Sequence, residues 1–434
     1  MNRPVGVAGL SHLGLVAAAS IAAKGFHVVA FDPDKDLIGD LGRMELPVAE
    51  PGLSELVAVN SQRLSLTADA EELERCGVVY LARDVPSGDD GTSDLTVIEL
   101  LLDVVESKLS KEAVLVIHSQ VPPGFTRRRM RPGRSLYYQV ETLVFGRAVE
   151  RALNPQRIIV GCADPGIPMP APYGALLAAF KCPVHAMGYE SAELCKIAIN
   201  VCLMATISAT NTMAELCENL GGDWSEIVPA LRSDPRIGEE AYLAPGLGIA
   251  GGNLERDLAT VRRLARETGG DDRVVTAWLG HSRHRRDWVL RTLHGQVLAK
   301  TKDPVVAILG LAYKANTAST TNAPALALIE NLTNCGLRVY DPVVPVNGLG
   351  HPHAIGAASA LEACEGANAV AIMTPWAEFR ELEARDLAAR LSGRIVVDPY
   401  FVLDGTACRE AGLDHFTLGR PPSSSIDRRD GLSC

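Results

Sequence analysis

The chain has 434 residues, enough for two or three domains. Hydrophobic residues make up 47% and charged residues 22%, which is typical of a globular protein and excludes a disordered chain. The net charge of −10 argues against a general binder of nucleic acid or of anionic membranes. The ten cysteines form no CxxC pair and no zinc-type spacing, so we expect reduced thiols and no metal. We also expect no signal peptide, no membrane span and a cytoplasmic location.

The first part of the chain predicts alternating strands and helices. Val5–Ala8 are apolar and suit a buried strand, and Gly9–Gly14 form a Gly-rich turn before an Ala-rich helix that continues to about Lys24. A second strand over residues 27–31 ends at Asp32. Further strands are expected at Val78–Ala82, Val114–Ile117 and Ile158–Gly161. Residues 1–187 therefore predict a doubly wound parallel sheet.

The middle of the chain, residues 188–300, predicts helices and no clear strands. The expected helices cover Ser191–Leu220, Trp224–Leu231 and Leu254–Glu267. The first of these is long and Ala-rich, and we expect it to form the surface of a homodimer.

Strands and helices alternate again over residues 301–420. The expected strands are Val305–Leu309, Leu337–Tyr340, Ala369–Met373 and Ile395–Val397, with a helix over Ala323–Asn334. The tail, residues 421–434, is rich in Pro, Ser and charge and predicts disorder. The fold class is thus α/β: two Rossmann-like doubly wound domains joined by a long central helical domain.

The opening turn carries most of a dinucleotide signature. Gly9 and Gly14 hold its first and third glycine positions, and Ser11 stands at the second. Asp32 follows Gly14 by the spacing at which an acidic residue accepts from the ribose 2′-hydroxyl, so NAD is favoured over NADP. Packing alone is the alternative explanation of such a turn, and His12 is expected to be a plain loop residue. The candidate cofactor residues are Gly9, Ser11, His12, Leu13, Gly14, Asp32, Val85 and Gln120.

Seven further motifs resemble those of the UDP-glucose/GDP-mannose dehydrogenase family. They are EPGL at 50–53, DGTSDL at 90–95, VPPG at 121–124, NPQRI at 154–158, SAELCK with an asparagine at 191–200, DPRIG at 234–238 and GLAYK with NT at 310–317. The resemblance implies an N-terminal NAD domain, a central dimer domain and a C-terminal nucleotide-sugar domain. It also implies oxidation of a sugar CH2OH to a carboxylate with two NAD, through a thioester on a cysteine.

The chain departs from the family at that cysteine. The family's GGSCFPKD reads here as residues 251–257, GGNLERD, so Asn253 stands in its place. An amide has no thiolate form and cannot be this nucleophile. Cys195 is not expected to replace it, because adjacent helix residues point about 100° apart and Lys196 is expected to face the site. Other family positions are also changed: they are His118, Gln120, Phe145, Thr321 and Tyr400. The last two replace arginines, which leaves room for an apolar or nucleoside-like substrate.

Several polar residues remain as candidates for chemistry. Lys196 and Asn200 are spaced i, i+4 and share a helix face; the lysine suits acid/base work and the amide can hold a substrate oxygen. Asp257 is a candidate base or a partner of Lys196. Glu141 is a second acid/base or an exposed helix carboxylate, and Asn253 is catalytic or only a helix N-cap. The candidate substrate residues are Arg236, Tyr242, Gly251, Lys314 and Tyr400.

Two of these carry further implications. In the family, Arg236 would reach across the dimer to an anionic group, and Lys314 would also bind an anion. Solvated loop charges are the alternative for both.

The leading functional hypothesis is an NAD enzyme acting on the sugar of a nucleoside or nucleotide sugar. Transient hydride removal would acidify a neighbouring C–H, a base such as Lys196 or Asp257 would take that proton, and net dehydration or epimerisation would follow. The alternatives are a two-electron dehydrogenase that releases a ketone or aldehyde, and an inactive NAD-binding scaffold.

Overall fold

The structure, a computed structural model, describes residues 3–86, 92–347 and 349–422. The chain divides after Ile199 into two compact units, which are described separately. The first residues of the DGTSDL motif and most of the tail predicted to be disordered lie outside the described residues. The domain boundaries at 187 and 300 stay predictions.

The first unit contains an eight-stranded sheet and helices on both of its faces. Its strands are β1 Val5–Ala8, β2 Val28–Phe31, β3 Leu64–Thr67, β4 Val78–Leu81, β5 Val114–Ile117, β6 Ser135–Gln139, β7 Ile158–Cys162 and β8 Val184–Gly188. Its helices are α1 His12–Ala23, α2 Lys35–Gly42, α3 Leu53–Val59, α4 Thr96–Lys108, α5 Phe125–Arg128, α6 Ala148–Leu153, α7 Ala171–Ala178 and the start of α8 Tyr189–Leu220.

The order of the strands is β3-β2-β1-β4-β5-β6-β7-β8. Strands β1 to β3 are added toward one edge of the sheet, and the chain then returns to add β4 on the other side of β1. Ligands of such sheets bind at this switch point, outside the carboxyl ends of the strands. The predicted doubly wound sheet is confirmed, with one correction: β6 and β7 pair antiparallel through Tyr138 and Gly161. The sequence could predict the central strands because every residue in β1, β2, β4 and β5 is buried, which gives each strand a continuous apolar run.

The second unit contains six parallel strands and a set of helices. Its strands are β9 Val305–Leu309, β10 Gly336–Tyr340, β11 Ala354–Gly356, β12 Ala369–Ile372, β13 Ile395–Val397 and β14 Asp414–Phe416, in the order β11-β10-β9-β12-β13-β14. Its helices, after the remainder of α8, are α9 Trp224–Arg232, α10 Asn253–Thr268, α11 Arg273–Arg286, α12 Trp288–Leu293, α13 Pro324–Asn331, α14 Ala360–Cys364, α15 Ala384–Arg390 and α16 Gly405–Glu410. The sequence missed α11, whose last turn is a run of Arg and His.

The long helix α8 is the one predicted to begin at Ser191. It is also the one helix among the described residues that is long and apolar enough to cross a membrane, judged by length and composition. Long helices of soluble proteins meet the same criterion, so this is weak evidence for a span. The expectations that the chain has no membrane span and a cytoplasmic location stay predictions.

Candidate active site

The turn after β1 has the close packing that a dinucleotide needs. Gly9 has a φ of +91°, which glycine tolerates best. A Cβ on Gly14 would lie 1.7 Å from the carbonyl oxygen of Gly9, so α1 can approach the strand only without a side chain there. The amide of Leu13 donates to Asp84 Oδ2 at 3.2 Å, which places a carboxylate where the helix N-terminus would bind phosphate. Asp84 is exposed and can give way to a phosphate.

Asp32 lies at the end of β2 beside this turn. Its carboxylate accepts from the amides of Leu10 at 2.8 Å and Asp34 at 3.1 Å, and it pairs with Arg83 at 3.1 Å. A carboxylate has about four lone pairs, so one remains on Oδ1 for a ribose hydroxyl. Gln120 and Val85 follow the carboxyl ends of β5 and β4, on the side of the sheet where the switch point predicts the cofactor.

His12 is not a loop residue, and that expectation is wrong. It is the first residue of α1, it is buried, and its Nε2 lies 3.1 Å from Glu50 Oε2. Its ring stacks on Phe145 at 4.4 Å between centroids. Glu50 also accepts from the amides of Gly146 and Ala148, at 3.0 and 2.8 Å. Sequence reasoning missed this cluster, because Glu50 was noted only as part of the EPGL motif.

Lys196 and Glu141 form an ion pair in the first unit. The Nζ–Oε2 distance is 3.0 Å, and the side chains are only 13% and 16% exposed. Glu141 follows β6 in a non-helical segment, so its interpretation as an exposed helix carboxylate is wrong. A carboxylate held in such a shielded position can accept a proton from a bound hydroxyl group and return it.

His118 lies near this pair. Its Nδ1 donates to the carbonyl of Gln139 at 2.9 Å. Burial lowers the pKa of His118 below 6.5, and the nearby charge of Lys196 lowers it further, while the Gln139 hydrogen bond and the charge of Glu141 oppose this. The ring is therefore neutral near pH 7, and because Nδ1 carries the proton, Nε2 keeps its lone pair. The sequence noted only that His118 replaces a family lysine.

A second polar pair belongs to the second unit. Asn200 Nδ2 donates to Asp257 Oδ2 at 2.6 Å, and Arg256 Nε lies 3.3 Å from Asp257 Oδ1. Asp257 is 1% exposed, so these bonds compensate for burying its charge. Helix α10 begins at Asn253 itself and Gly252 occupies the N-cap position, so the helix-cap interpretation of Asn253 is wrong by one residue.

The remaining candidates in the second unit are less closely grouped. Gly251 has a φ of +76° and packs on the ring of Tyr313, over which Lys314 Nζ lies 5.5 Å from the centroid. Tyr400 is shielded by its neighbours, and burial raises its pKa, with smaller contributions from Tyr242 and Asp398. Arg236 is 88% exposed and pairs with Asp234 at 2.5 Å. Its role across a dimer stays a prediction.

Two Rossmann-like sheets, the first with a dinucleotide turn, define a dinucleotide-binding protein. Models of the UDP-glucose/GDP-mannose dehydrogenase family match its NAD-binding domain at residues 3–168, its central domain at 190–281 and its UDP-binding domain at 307–405. The chain belongs to the UDP-glucose/GDP-mannose dehydrogenase family.

Relatives match along almost the whole chain. A UDP-glucose 6-dehydrogenase of Pseudomonas aeruginosa is 30% identical over 96% of this chain and 97% of its own length. The UDP-glucose 6-dehydrogenase AglM of Haloferax volcanii is 31% identical over 95% of this chain and 99% of its own. The solved UDP-glucose dehydrogenase of Pyrobaculum islandicum is 26% identical, with a TM-score of 0.80 over 94% of this chain and 98% of its own. NAD is therefore the cofactor of this family, and the turn that Gly9 and Gly14 form fits it.

Proposed function

We propose that the chain uses NAD to oxidise one carbinol carbon of a nucleotide sugar by two electrons and releases the carbonyl product. The observation that carries this proposal is the Lys196–Glu141 pair, two acid/base groups held 3.0 Å apart and largely shielded from solvent. The match of residues 307–405 to a UDP-binding domain supports a nucleotide sugar over a free nucleoside.

The Lys196–Glu141 pair can account for the proton that the oxidation releases. Bound NAD supplies the acceptor for the hydride that leaves carbon. The hydroxyl proton must leave as well, and the Glu141 carboxylate takes it as general base, because the Lys196 ammonium has no lone pair to accept it. Gly9 and Gly14 allow the cofactor's pyrophosphate to approach the backbone.

Asn253 is the reason that the proposed oxidation ends after one pair of electrons has been removed from the sugar. Oxidation to a carboxylate in the family runs through a thiol adduct of the aldehyde, and a carboxamide cannot form that adduct. The proposed product is therefore the ketone or aldehyde, formed with one equivalent of NADH.

Net dehydration, the leading hypothesis from the sequence, now stands second. The relatives that match along the full chain are named dehydrogenases, which supports oxidation as the net reaction. A base that removes a proton next to the transient carbonyl would still give loss of water or epimerisation, and both are outcomes of the test below.

The test is incubation of the full chain with NAD and a panel of UDP-sugars, GDP-sugars and nucleosides, followed by mass spectrometry and NMR. Loss of two hydrogens with matching NADH supports the proposal. Loss of water, a changed configuration at unchanged mass, or a carboxylate product would overturn it. Tight NAD binding with no conversion of any compound would favour an inactive scaffold.

We also propose a homodimer through α8. Apolar side chains on this helix are exposed in the single chain, among them Leu203, Met213 and Leu216, each 40% exposed or more. Exposed apolar side chains on a long helix are available to pack against a partner. Sedimentation equilibrium should give twice the mass of the chain, and a monomer at micromolar concentration would contradict the proposal.

A further inference from the structure

We propose that Glu50 is a positioning residue for the oxidation. Its buried carboxylate fixes the segment that carries the general base Glu141 and ties that segment to the first turn of the NAD-binding helix α1. The inference rests on the proposed function, because it concerns the placement of the base that takes the hydroxyl proton. Glu50 acts through Glu141 and takes no proton from the substrate itself.

The segment that carries Glu141 is irregular. Residues 140–147 connect β6 to α6 by extended backbone and a turn. Two groups orient the carboxylate of Glu141: the amide of Leu143 in the same segment donates to Oε1, and Lys196 Nζ lies 3.0 Å from Oε2. The direction in which the base points therefore depends on how this segment is held.

Glu50 holds the far end of this segment. The amide of Gly146 donates to Glu50 Oε2 at 3.0 Å, and the amide of Ala148, the first residue of α6, donates to Oε1 at 2.8 Å. Hydrogen bonds from N–H groups to a carboxylate are charge-assisted and about twice as strong as those between neutral groups. Because the side chain of Glu50 is only 1% exposed, water does not compete for these bonds.

The same carboxylate reaches the cofactor turn. His12 Nε2 lies 3.1 Å from Glu50 Oε2, and because a carboxylate only accepts hydrogen bonds, this nitrogen carries the proton and donates it. The His12 ring also stacks on Phe145 of the segment, with centroids 4.4 Å apart. His12 is the first residue of α1, the helix whose N-terminal amides suit the phosphates of a dinucleotide. Glu50 thus joins the cofactor turn to the segment of the base.

The EPGL motif fixes Glu50 in its turn. The amide of Leu53 donates to the carbonyl of Glu50 at 3.1 Å, and Gly52 between them has a φ of +79° and a ψ of −4°. A proline followed by a glycine of this conformation is typical of a type II turn. The side chain of Leu53 is fully buried and anchors the turn in the core. The motif therefore presents the Glu50 carboxylate in one defined position.

The main test is a double-mutant cycle in NADH production by the full chain with NAD and the nucleotide sugar that it oxidises. Glu50→Gln keeps the shape of the side chain, but its amide cannot accept from both Gly146 and Ala148. A displacement of about 1 Å can cost about 10²-fold, so we expect kcat to fall by about 10- to 10²-fold, with the KM for NAD within about twofold. In the Glu141→Gln background, where the base is already absent, Glu50→Gln should lower kcat by less than about twofold.

Two further variants accompany this cycle. The matched control is Glu55→Gln, which makes the same charge change at an exposed position of α3 and should keep kcat in both backgrounds. Phe145→Ala removes the stack on His12 at a side chain that is 45% exposed, so the chain should still fold. It should lower kcat by a smaller factor than Glu50→Gln, and again only where Glu141 is present.

A second measurement does not need turnover. Hydrogen exchange followed by mass spectrometry reports the protection of amides in a peptide that covers residues 140–148. Exchange there should be at least about tenfold faster in Glu50→Gln than in the wild type, because the amides of Gly146 and Ala148 lose a charged acceptor. A peptide from α4 should exchange at the same rate in both proteins.

The outcomes separate the positioning role from the proposed function. If the wild type makes NADH but Glu50→Gln keeps its kcat, or loses the same factor with and without Glu141, the positioning role is wrong and the oxidation stands. Unchanged exchange over residues 140–148 in Glu50→Gln would also overturn it. If the wild type makes no net NADH, the proposed function fails, and the exchange rates alone decide whether Glu50 fixes the segment.

Discussion

Replacing Gly14 with alanine tests the dinucleotide turn most sharply. The new Cβ would lie 1.7 Å from the carbonyl oxygen of Gly9 and 2.8 Å from that of Ala82. Both are backbone atoms, so rotation of a side chain cannot relieve the clash. Helix α1 must therefore move by roughly 1.5 Å to restore ordinary contact distances. Overpacking of this kind costs about 1–3 kcal/mol, and backbone collisions place Gly14→Ala near the upper end. Loss of alignment at the helix N-terminus should weaken NAD binding at least about tenfold, which is 1.4 kcal/mol.

The assay is thermal unfolding together with NAD titration by calorimetry. The matched control is Gly174→Ala in α7, where a Cβ meets nothing within 4 Å. Alanine in an open helix position should stabilise the chain by about 0.5–1 kcal/mol and leave NAD affinity unchanged. If Gly14→Ala matched the wild type in both measurements, the close approach of α1 to the strand would be refuted.

Three further predictions concern charged groups. Lys196→Met should lower kcat by about 10²–10⁴-fold in NADH production, because it removes the cation that positions the general base Glu141, while calorimetry shows NAD still bound. Arg285→Met should lower the free energy of unfolding in urea by about 3 kcal/mol, because it leaves Glu218 without its fully buried ionic partner at 2.8 Å. The depressed pKa of buried His118 should make the protein less stable as pH falls below 6.5, since the unfolded chain binds a proton there that the folded chain does not. Urea titrations across pH should show this slope reduced in His118→Gln.

Each of these has a control and a refuting result. Cys195→Ser should keep full activity, and equal loss in both variants would remove Lys196 from the mechanism. Arg273→Ala, which alters a fully exposed pair with Asp271, should not change stability measurably. A larger effect there than at Arg285 would contradict the argument from burial. An unchanged pH slope in His118→Gln would show that another group sets it.

The central strands were predictable because burial on both faces leaves a continuous apolar run. The first and last residues of β5 and β9 in the structure are the ones that the sequence predicted. The strand β8 was missed because its first three residues are exposed and its sequence has no apolar run. The antiparallel pairing of β6 with β7 was missed because strand direction is set by tertiary contacts rather than by local pattern.

The site was predictable in its residue types and less so in its pairings. Helical spacing identified Lys196, but only the fold brings Glu141 to within 3.0 Å of it across 55 positions of sequence. His12 was misread because the same local pattern fits a loop and a first helical turn. Its partner Glu50 lies 38 residues away, and no local signal links the two.

The most direct test of the central claim is the amount of NADH formed per molecule of sugar consumed, measured by absorbance and by chromatography on one reaction. Our account predicts one NADH for each sugar, with a product that a carbonyl reagent such as a hydroxylamine traps. A ratio of two with a carboxylate product, or a ratio near zero with complete conversion, would contradict it.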